Sequence, residues 1–226
     1  MNEPGKIIET QDGSHSIMSA QFGVSYHSKY GAIQESRHVF IEAGLYPALA
    51  NKDNIRIFEM GFGTGLNAFL SLLVANKKSK NIFFESVESH PIPPKQAGLL
   101  NYPSVLNKMG IDANAKDFIS LHQSPWNTTN DLSPFFSLFK WDKRIQDAPI
   151  SGGYDVVFYD AFAPSSQLEL WEEKVISKVV NAMNPGGIFV TYCAKGAFKR
   201  LLKSLGLKVE GIPGPPEKRE MTRGFK

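Results

Sequence analysis

A strand-like run, Ile55-Arg56-Ile57-Phe58-Glu59-Met60, passes without a spacer into Gly61-Phe62-Gly63-Thr64-Gly65, and a helical pattern begins at once with Leu66-Asn67. Glycines at three alternate positions mark a backbone that turns sharply and lets a ligand come close, since a Cβ would prevent both. Between a strand and a helix, such a turn lies at the carboxyl edge of an open α/β sheet, where these sheets bind small molecules. Position 66, where a dinucleotide-binding G-x-G-x-x-G needs its third glycine, is leucine, which argues against NAD and FAD. Glu59, just ahead of the glycines, would repel a pyrophosphate but suits a ligand carrying an amine and a sulfonium cation. These residues point to S-adenosylmethionine.

The rest of the pattern predicts the sheet around that turn. Apolar or β-branched runs at Ile82–Val87, Phe135–Phe139, Tyr154–Tyr159 and Ile188–Tyr192 read as further buried strands. Helical patterns follow at Leu66–Ala75, Glu169–Met183 and Gly196–Leu205, the second stopped by Asn184-Pro185-Gly186-Gly187. The alternation predicts an α/β fold with a parallel, doubly wound sheet. Lys6–Ser19, with Asp12-Gly13 between two short runs, reads as an N-terminal hairpin that caps the ligand mouth. Ser124–Asp131 and Lys143–Gly153 read as surface loops, and the three prolines of Ile212-Pro213-Gly214-Pro215-Pro216 as a rigid turn.

Two more acids fall at the carboxyl edge. Glu88 ends the second strand 23 residues past Gly65, where a carboxylate can accept both hydroxyls of a ribose. Asp160, in Asp160-Ala161-Phe162-Ala163-Pro164, follows the apolar Val156–Tyr159 run and faces the reacting centre. In methyl transfer to an amine, a carboxylate there can orient the N–H and accept its proton, so Asp160 is the candidate catalytic residue. The single cysteine, Cys193, excludes an intrachain disulfide framework and a multi-thiolate zinc site, and it reads as a small hydrophobe rather than a nucleophile. The five histidines have no metal-ligand spacing, so no metal is expected.

Net charge is +3 over 226 residues, too small to announce a nucleic-acid partner, but it is unevenly placed. Residues 195–226 hold nine Lys or Arg against three Glu, and the other 194 hold 16 basic against 19 acidic side chains. One end of the molecule is basic, either as a solvated segment or as a phosphate-contacting face. No apolar run approaches the roughly 20 residues of a membrane span, and residues 1–11 lack a secretory pattern, so a cytoplasmic protein is expected.

Taken together, four ordered motifs resemble the methyltransferase domain of the MnmC family. They are Tyr26–Phe40 (YHSKYGAIQESRHVF), EMGFGTGLN at 59–67, DAFAP at 160–164 followed by Glu169-Leu170-Trp171, and the C-terminal pair TYCAKG at 191–196 and PGPPEKREM at 213–221. The resemblance implies a class I S-adenosylmethionine-dependent methyltransferase acting on the 5-aminomethyl group of the wobble uridine of tRNA. It implies that Glu59, Gly61, Gly63, Thr64, Gly65 and Asn67 hold the methionine part of the cofactor, Glu88 its ribose, and Asp142 the region near its adenine. Tyr26 and Glu35 would lie over the active site, Asp160 would face the aminomethyl group, and Phe162 and Pro164 would touch the base. Tyr26, Phe62, Phe162 and Trp171 are candidates for stacking on a flipped-out base. Lys195, Arg200, Lys218 and Arg219 would meet anticodon-loop phosphates. Residues 1–50 would form the hairpin and covering segment and 51–226 the catalytic domain. Many family members are fused to an FAD-dependent oxidase; this chain reads as a stand-alone methyltransferase, with a separate oxidase supplying the aminomethyl substrate.

Two other readings stay open from the residues alone. An aminopropyltransferase of the polyamine-synthase type would use a decarboxylated relative of the same cofactor, although the basic C-terminal segment would repel a polycation. A non-catalytic RNA-binding module could keep the fold without the chemistry.

Overall fold

A computed structural model describes residues 5–226; residues 1–4, the start of the N-terminal stretch read above for targeting signals, lie outside it. The expected hairpin forms from β1 (Lys6–Glu9) and β2 (His15–Met18), paired antiparallel with Ile7 opposite Ile17. A continuous helical stretch follows: α1 (Ala32–Ser36), a π-helical segment Arg37–Leu45, and α2 (Tyr46–Leu49). Its apolar residues Ile33, Val39, Phe40, Ile41 and Leu45 are buried in the same cluster as the sheet residues Val156, Phe158 and Val190.

The sheet begins with β3 (Asn54–Met60), the glycine turn, and α3 (Leu66–Lys78). It continues through β4 (Asn81–Glu88), the short helices α4 (Pro94–Ala97) and α5 (Tyr102–Lys108), α6 (Ala115–Gln123), β5 (Thr129–Ser133) and β6 (Phe136–Asp142). Then come β7 (Tyr154–Tyr159), α7 (Glu173–Asn181), β8 (Met183–Thr191), α8 (Gly196–Ser204), β9 (Lys208–Pro213) and β10 (Glu220–Phe225). The strand order is β5-β6-β4-β3-β7-β8-β10-β9. The chain leaves β3 toward β4 on one side and returns to β7 on the other, so the order reverses beside the glycine turn, the position where doubly wound sheets open a crevice.

The expected parallel sheet is a mixed one. β6, β4, β3, β7 and β8 run parallel, whereas β5 pairs antiparallel with β6, and β10 pairs antiparallel with both β8 and β9. The Ser124–Asp131 loop therefore ends inside a strand. β5, with the sequence TNDLS, is an edge strand with no fully buried residue, so it carries no apolar signal. The Pro-rich turn begins at Gly214, two residues later than Ile212, because Pro213 is the last residue of β9 at the opposite sheet edge, where no further strand needs its missing N–H.

The helix expected over Glu169–Met183 is interrupted. Leu168–Trp171 is a 3-10 turn, Glu172 is extended, and the helix proper starts at Glu173 and ends at Asn181. Asn184-Pro185-Gly186-Gly187 lies within β8 rather than stopping the helix, at a register shift between Tyr154 and Val156 of the neighbouring β7. Its unpaired groups go elsewhere: Gly186 N–H donates to Lys226 O, and Lys226 N–H to Gly187 O.

Candidate cofactor crevice and active site

Gly61, Gly63 and Gly65 all adopt positive φ, at 90°, 50° and 72°. The loop is gripped from several sides. A Cβ on Gly61 would stand 3.3 Å from the Asp160 carbonyl oxygen, one on Gly63 3.0 Å from the Tyr26 ring, and one on Gly65 2.8 Å from His122 Nε2. Thr64 is held twice, by a 2.7 Å hydrogen bond between its Oγ1 and His27 Nε2 and by His122 Nε2 donating to its carbonyl at 3.1 Å. Burial pushes both imidazoles down to about 4, so both are neutral at pH 7 and neither opposes a cationic ligand.

Below the loop, Phe62 is 3% exposed and packs against a buried lysine. Lys140 Nζ lies 5.1 Å from the Phe62 ring centre and 4.5 Å from that of Trp126, and it donates to Leu121 O at 2.5 Å. Leu121 sits in the last turn of α6, whose carbonyls have no partner along the helix, so the ammonium caps that end. Replacing Lys140 by methionine keeps the length and removes the donor. It should destabilise the fold by about 1–3 kcal/mol, read as a lower urea midpoint at unchanged m-value.

The crevice itself is lined by Tyr26, Gly61, Gly63, Asn67, Glu88 and Asp160, among others, and has a volume of about 50 Å³. Glu88 is fixed by two backbone donors, Gly63 N–H to Oε2 at 3.0 Å and His90 N–H to Oε1 at 2.8 Å. A second cavity of about 170 Å³ continues past Glu88 along Lys143, Arg144 and Ile145. A larger depression, about 1140 Å³ under the hairpin, shares only Gln21, Tyr26 and His90 with these two cavities.

Asp160 accepts a 2.8 Å hydrogen bond from Asn67 Nδ2. Burial, reinforced by the charge of Glu35, pushes its carboxyl up to about 7, against the smaller opposing pull of Asn67 and Lys218. Glu59 lies deeper, 1% exposed, and accepts from Ser86 Oγ at 2.8 Å. Its carboxyl is held well above the usual range, first by burial and then by Asp160. Asn67 Oδ1 is buried with no partner.

These features fit S-adenosylmethionine. The glycine cradle would be filled by any side chain, Asn67, which lines the crevice, carries an orphan buried amide oxygen that an ammonium could satisfy, and the acids Glu88 and Asp160 on the crevice wall favour a cationic ligand over a pyrophosphate.

Comparison with known proteins agrees. Residues 138–226 match a family described as S-adenosyl-L-methionine-dependent methyltransferase. The bifunctional protein MnmC of tRNA 5-methylaminomethyl-2-thiouridine biosynthesis from Marinomonas sp. (strain MWYL1) is 32% identical over 219 residues, covering 91% of this chain and 32% of that protein. Its counterpart from Leptospira borgpetersenii is 31% identical over 225 residues, covering 92% of this chain and 33% of that protein. The crystal structure of MnmC2 from Aquifex aeolicus superposes with a TM-score of 0.75 at 26% identity, over 97% of this chain and 70% of that one. The chain carries an MnmC-like methyltransferase domain. It spans about a third of the length of the curated MnmC relatives it matches.

Within this MnmC-like domain, the structure brings the sequence-selected residues into three groups. Gly61, Gly63, Thr64, Asn67, Glu88, Tyr26, Asp160 and Phe162 line one crevice, with Gly65 at its helix end and Glu59 beneath it. Asp142 stands exposed at the end of β6, directly opposite Glu88 in the parallel ladder and next to Lys143 of the second cavity. Glu35 lies apart from the glycines, under the C-terminal turn with Pro215 and Pro216, where it meets Lys218. The basic segment is only partly free. Lys218 pairs with Glu35, Lys199 with Glu220 and Arg223 with Glu210, while Lys226 Nζ caps α7 through Val180 O and Asn181 O. Lys195 and Arg219 are exposed, and Pro164 is half-buried in the loop beyond Phe162.

Two of the aromatic candidates for base stacking are placed differently from expectation. Trp171 is buried, with its indole N–H donating to Phe162 O at 2.7 Å, so it braces the loop from behind. Phe62 is likewise on the buried side of the glycine turn. The ring that completes the mouth is Phe22, 5.1 Å from Phe162, which in turn lies 5.0 Å from Tyr26. Phe22 sits in the segment Gln21–Ser25 without periodicity and gives no pattern signal, whereas His27 lies beside Tyr26 inside the quoted YHSKYG motif, which assigns it no role.

Proposed function

We propose that this domain transfers a methyl group from S-adenosylmethionine to the amine of a 5-aminomethyl(-2-thio)uridine at the wobble position of tRNA, giving the 5-methylaminomethyl product. The observation that carries the reading is Asp160, a carboxylate whose proton affinity is matched to neutral pH, set between the glycine crevice and the Phe22–Phe162–Tyr26 ring cluster. When bound, S-adenosylmethionine supplies a methyl group already activated on a sulfonium. The chain's own task is orientation and proton management. A primary amine reaches the site at pH 7 mainly as an ammonium, and Asp160, with a proton affinity near neutrality, accepts one proton from it and leaves the nitrogen lone pair free. Gly61, Gly63, Gly65, Asn67 and Glu88 hold the cofactor, Asp142 borders its adenine end, and the described part of the N-terminal segment, residues 5–50, covers the mouth. The tRNA identification is supported by the names of the MnmC relatives.

Phe162 and its neighbours form a platform for the extruded base, and the exposed Lys195 and Arg219 face the anticodon-loop phosphates. An oxidase activity that frees the aminomethyl group acts before this step. The test is incubation with labelled S-adenosylmethionine and tRNA carrying 5-aminomethyl-2-thiouridine, followed by nucleoside mass spectrometry. A 14 Da gain on that nucleoside is expected, and none on any tRNA would overturn the reading. Removing the ring in Phe162→Ala should raise KM for tRNA about 5- to 100-fold, from a stacking loss of about 1–3 kcal/mol, while Phe162→Tyr retains activity. An equal loss of S-adenosylmethionine affinity would instead place Phe162 in the cofactor shell.

A further inference from the structure

Glu35 and Lys218 are 183 residues apart in sequence and meet at 2.6 Å. Glu35 lies in α1, on the N-terminal covering segment. Lys218 sits in the turn between β9 and β10 on the C-terminal side. Glu35 is 8% exposed, and its second oxygen accepts from Ser28 N–H at 2.9 Å, which ties it to the segment carrying Tyr26 and His27. Lys218 Nζ also lies 4.3 Å from the centre of the Tyr192 ring. Tyr192 in turn donates its hydroxyl to Ala161 O at 2.7 Å, one residue from Asp160. A contiguous chain of contacts therefore runs from both covering segments to the proposed proton acceptor.

We propose that Glu35 and Lys218 are positioning residues for Asp160, an ion pair that latches the N-terminal segment to the C-terminal turn and, through Tyr192 and the Ala161 carbonyl, to the loop that carries Asp160. The inference rests on the reading of Asp160 given above. The other groups facing Asp160 are Glu59 from β3, Asn67 from α3, Tyr192 beyond β8, and, across the crevice, Glu88 from β4 with Tyr26 and His27 from the N-terminal segment; Asn67, Tyr26, Tyr192 and His27 are uncharged at neutral pH, Glu59 is held toward its protonated form, and Glu88 is engaged by the N–H groups of Gly63 and His90. Glu35 and Lys218 are the oppositely charged pair on the covering segments. Glu35 raises the proton affinity of Asp160 and Lys218 lowers it. The pair also explains why a buried carboxylate stands under the basic turn without touching the glycine crevice.

The two substitutions must then act in opposite directions. In Glu35→Gln, the midpoint of Asp160 titration should fall by up to about one pH unit, and in Lys218→Met it should rise by a comparable amount. Two measurements check this. The first is 13C-carboxyl NMR titration of Asp160 in the free protein, assigned with Asp160→Asn, which needs no substrate. The second is the acid limb of kcat/KM for methyl transfer to tRNA. Opposed NMR shifts support the latch, and their persistence without any methyl transfer would overturn the functional reading while leaving the latch intact. If both variants shift Asp160 the same way or not at all, while thermal melts show them folded, the latch is wrong. The conservative Lys218→Arg should restore the wild-type midpoint; failure to do so, with Lys218→Met shifted, would also count against a charge-based role.

Discussion

Replacing Asp160 by asparagine lowers methyl transfer about 10²- to 10⁴-fold while S-adenosylmethionine still binds, because the amide keeps the size of the carboxylate and cannot take a proton. Single-turnover kinetics and isothermal titration on the same preparation separate the two effects. A collapse of cofactor affinity with near-normal turnover at saturation would move Asp160 out of the proton-accepting role. The same variant carries a stability signature whose sign follows from burial. The Asp160 carboxyl rises from its ordinary 3.8 to about 7 in the folded protein, so the folded state holds a proton that the unfolded state has lost between those values. Its contribution is fully present below about pH 4 and is lost as pH rises through about 7. Asp160→Asn should therefore melt higher than the parent at pH 8, with the gap closing as pH falls toward 4. Greater stability with lost activity is the expected trade for a group kept in the wrong medium for its chemistry.

Gly63→Val should abolish cofactor binding. Gly63 has φ of 50°, a region that a β-branched residue enters only with strain, and its Cβ would already stand 3.0 Å from the Tyr26 ring before the two methyls are added. The backbone N–H of Gly63 also anchors Glu88, so a displaced loop loses both the cradle and the ribose acid. Titration with S-adenosylmethionine and S-adenosylhomocysteine should show no heat for either, with the far-ultraviolet circular dichroism unchanged. Unaltered affinity would refute the assignment of the loop.

Much of this was legible because it depends on local rules. The step from Ile55–Met60 through three glycines to Leu66 can be read from spacing alone, and the buried strands β3, β4 and β7 are short runs rich in apolar residues, of the kind that sheets covered on both faces require. The failures share a different cause. β9 (KVEGIP) and β10 (EMTRGF) have little apolar patterning, since their pairing rests on backbone ladders and on neighbours such as Leu207 packed against Gly224, which no window of sequence contains. Glu173–Asn181 keeps a helical period that extends by eye back to Glu169, and only Trp171, pulled inward to brace Phe162, breaks it. In the site, Asp160, Glu88 and the glycines follow from their place at strand ends. The partnership of Glu35 with Lys218, and the neutral histidines that clamp Thr64, arise from tertiary contacts between distant segments and leave no mark in the local pattern.

The position of β10 governs when this molecule can become itself. Glu220–Phe225 fills the slot between β8 and β9, and Lys226 closes the Asn-Pro-Gly-Gly kink of β8 and the end of α7. Until residues 220–226 have left the ribosome, β8 has one open flank and β9 has no neighbour at all. The nascent chain therefore waits with an unprotected strand edge, the kind of surface that chaperones recognise and that aggregation exploits. Because Lys218 arrives with the same segment, the mouth over Asp160 cannot assemble before the sheet is sealed, and a prematurely terminated chain would have neither.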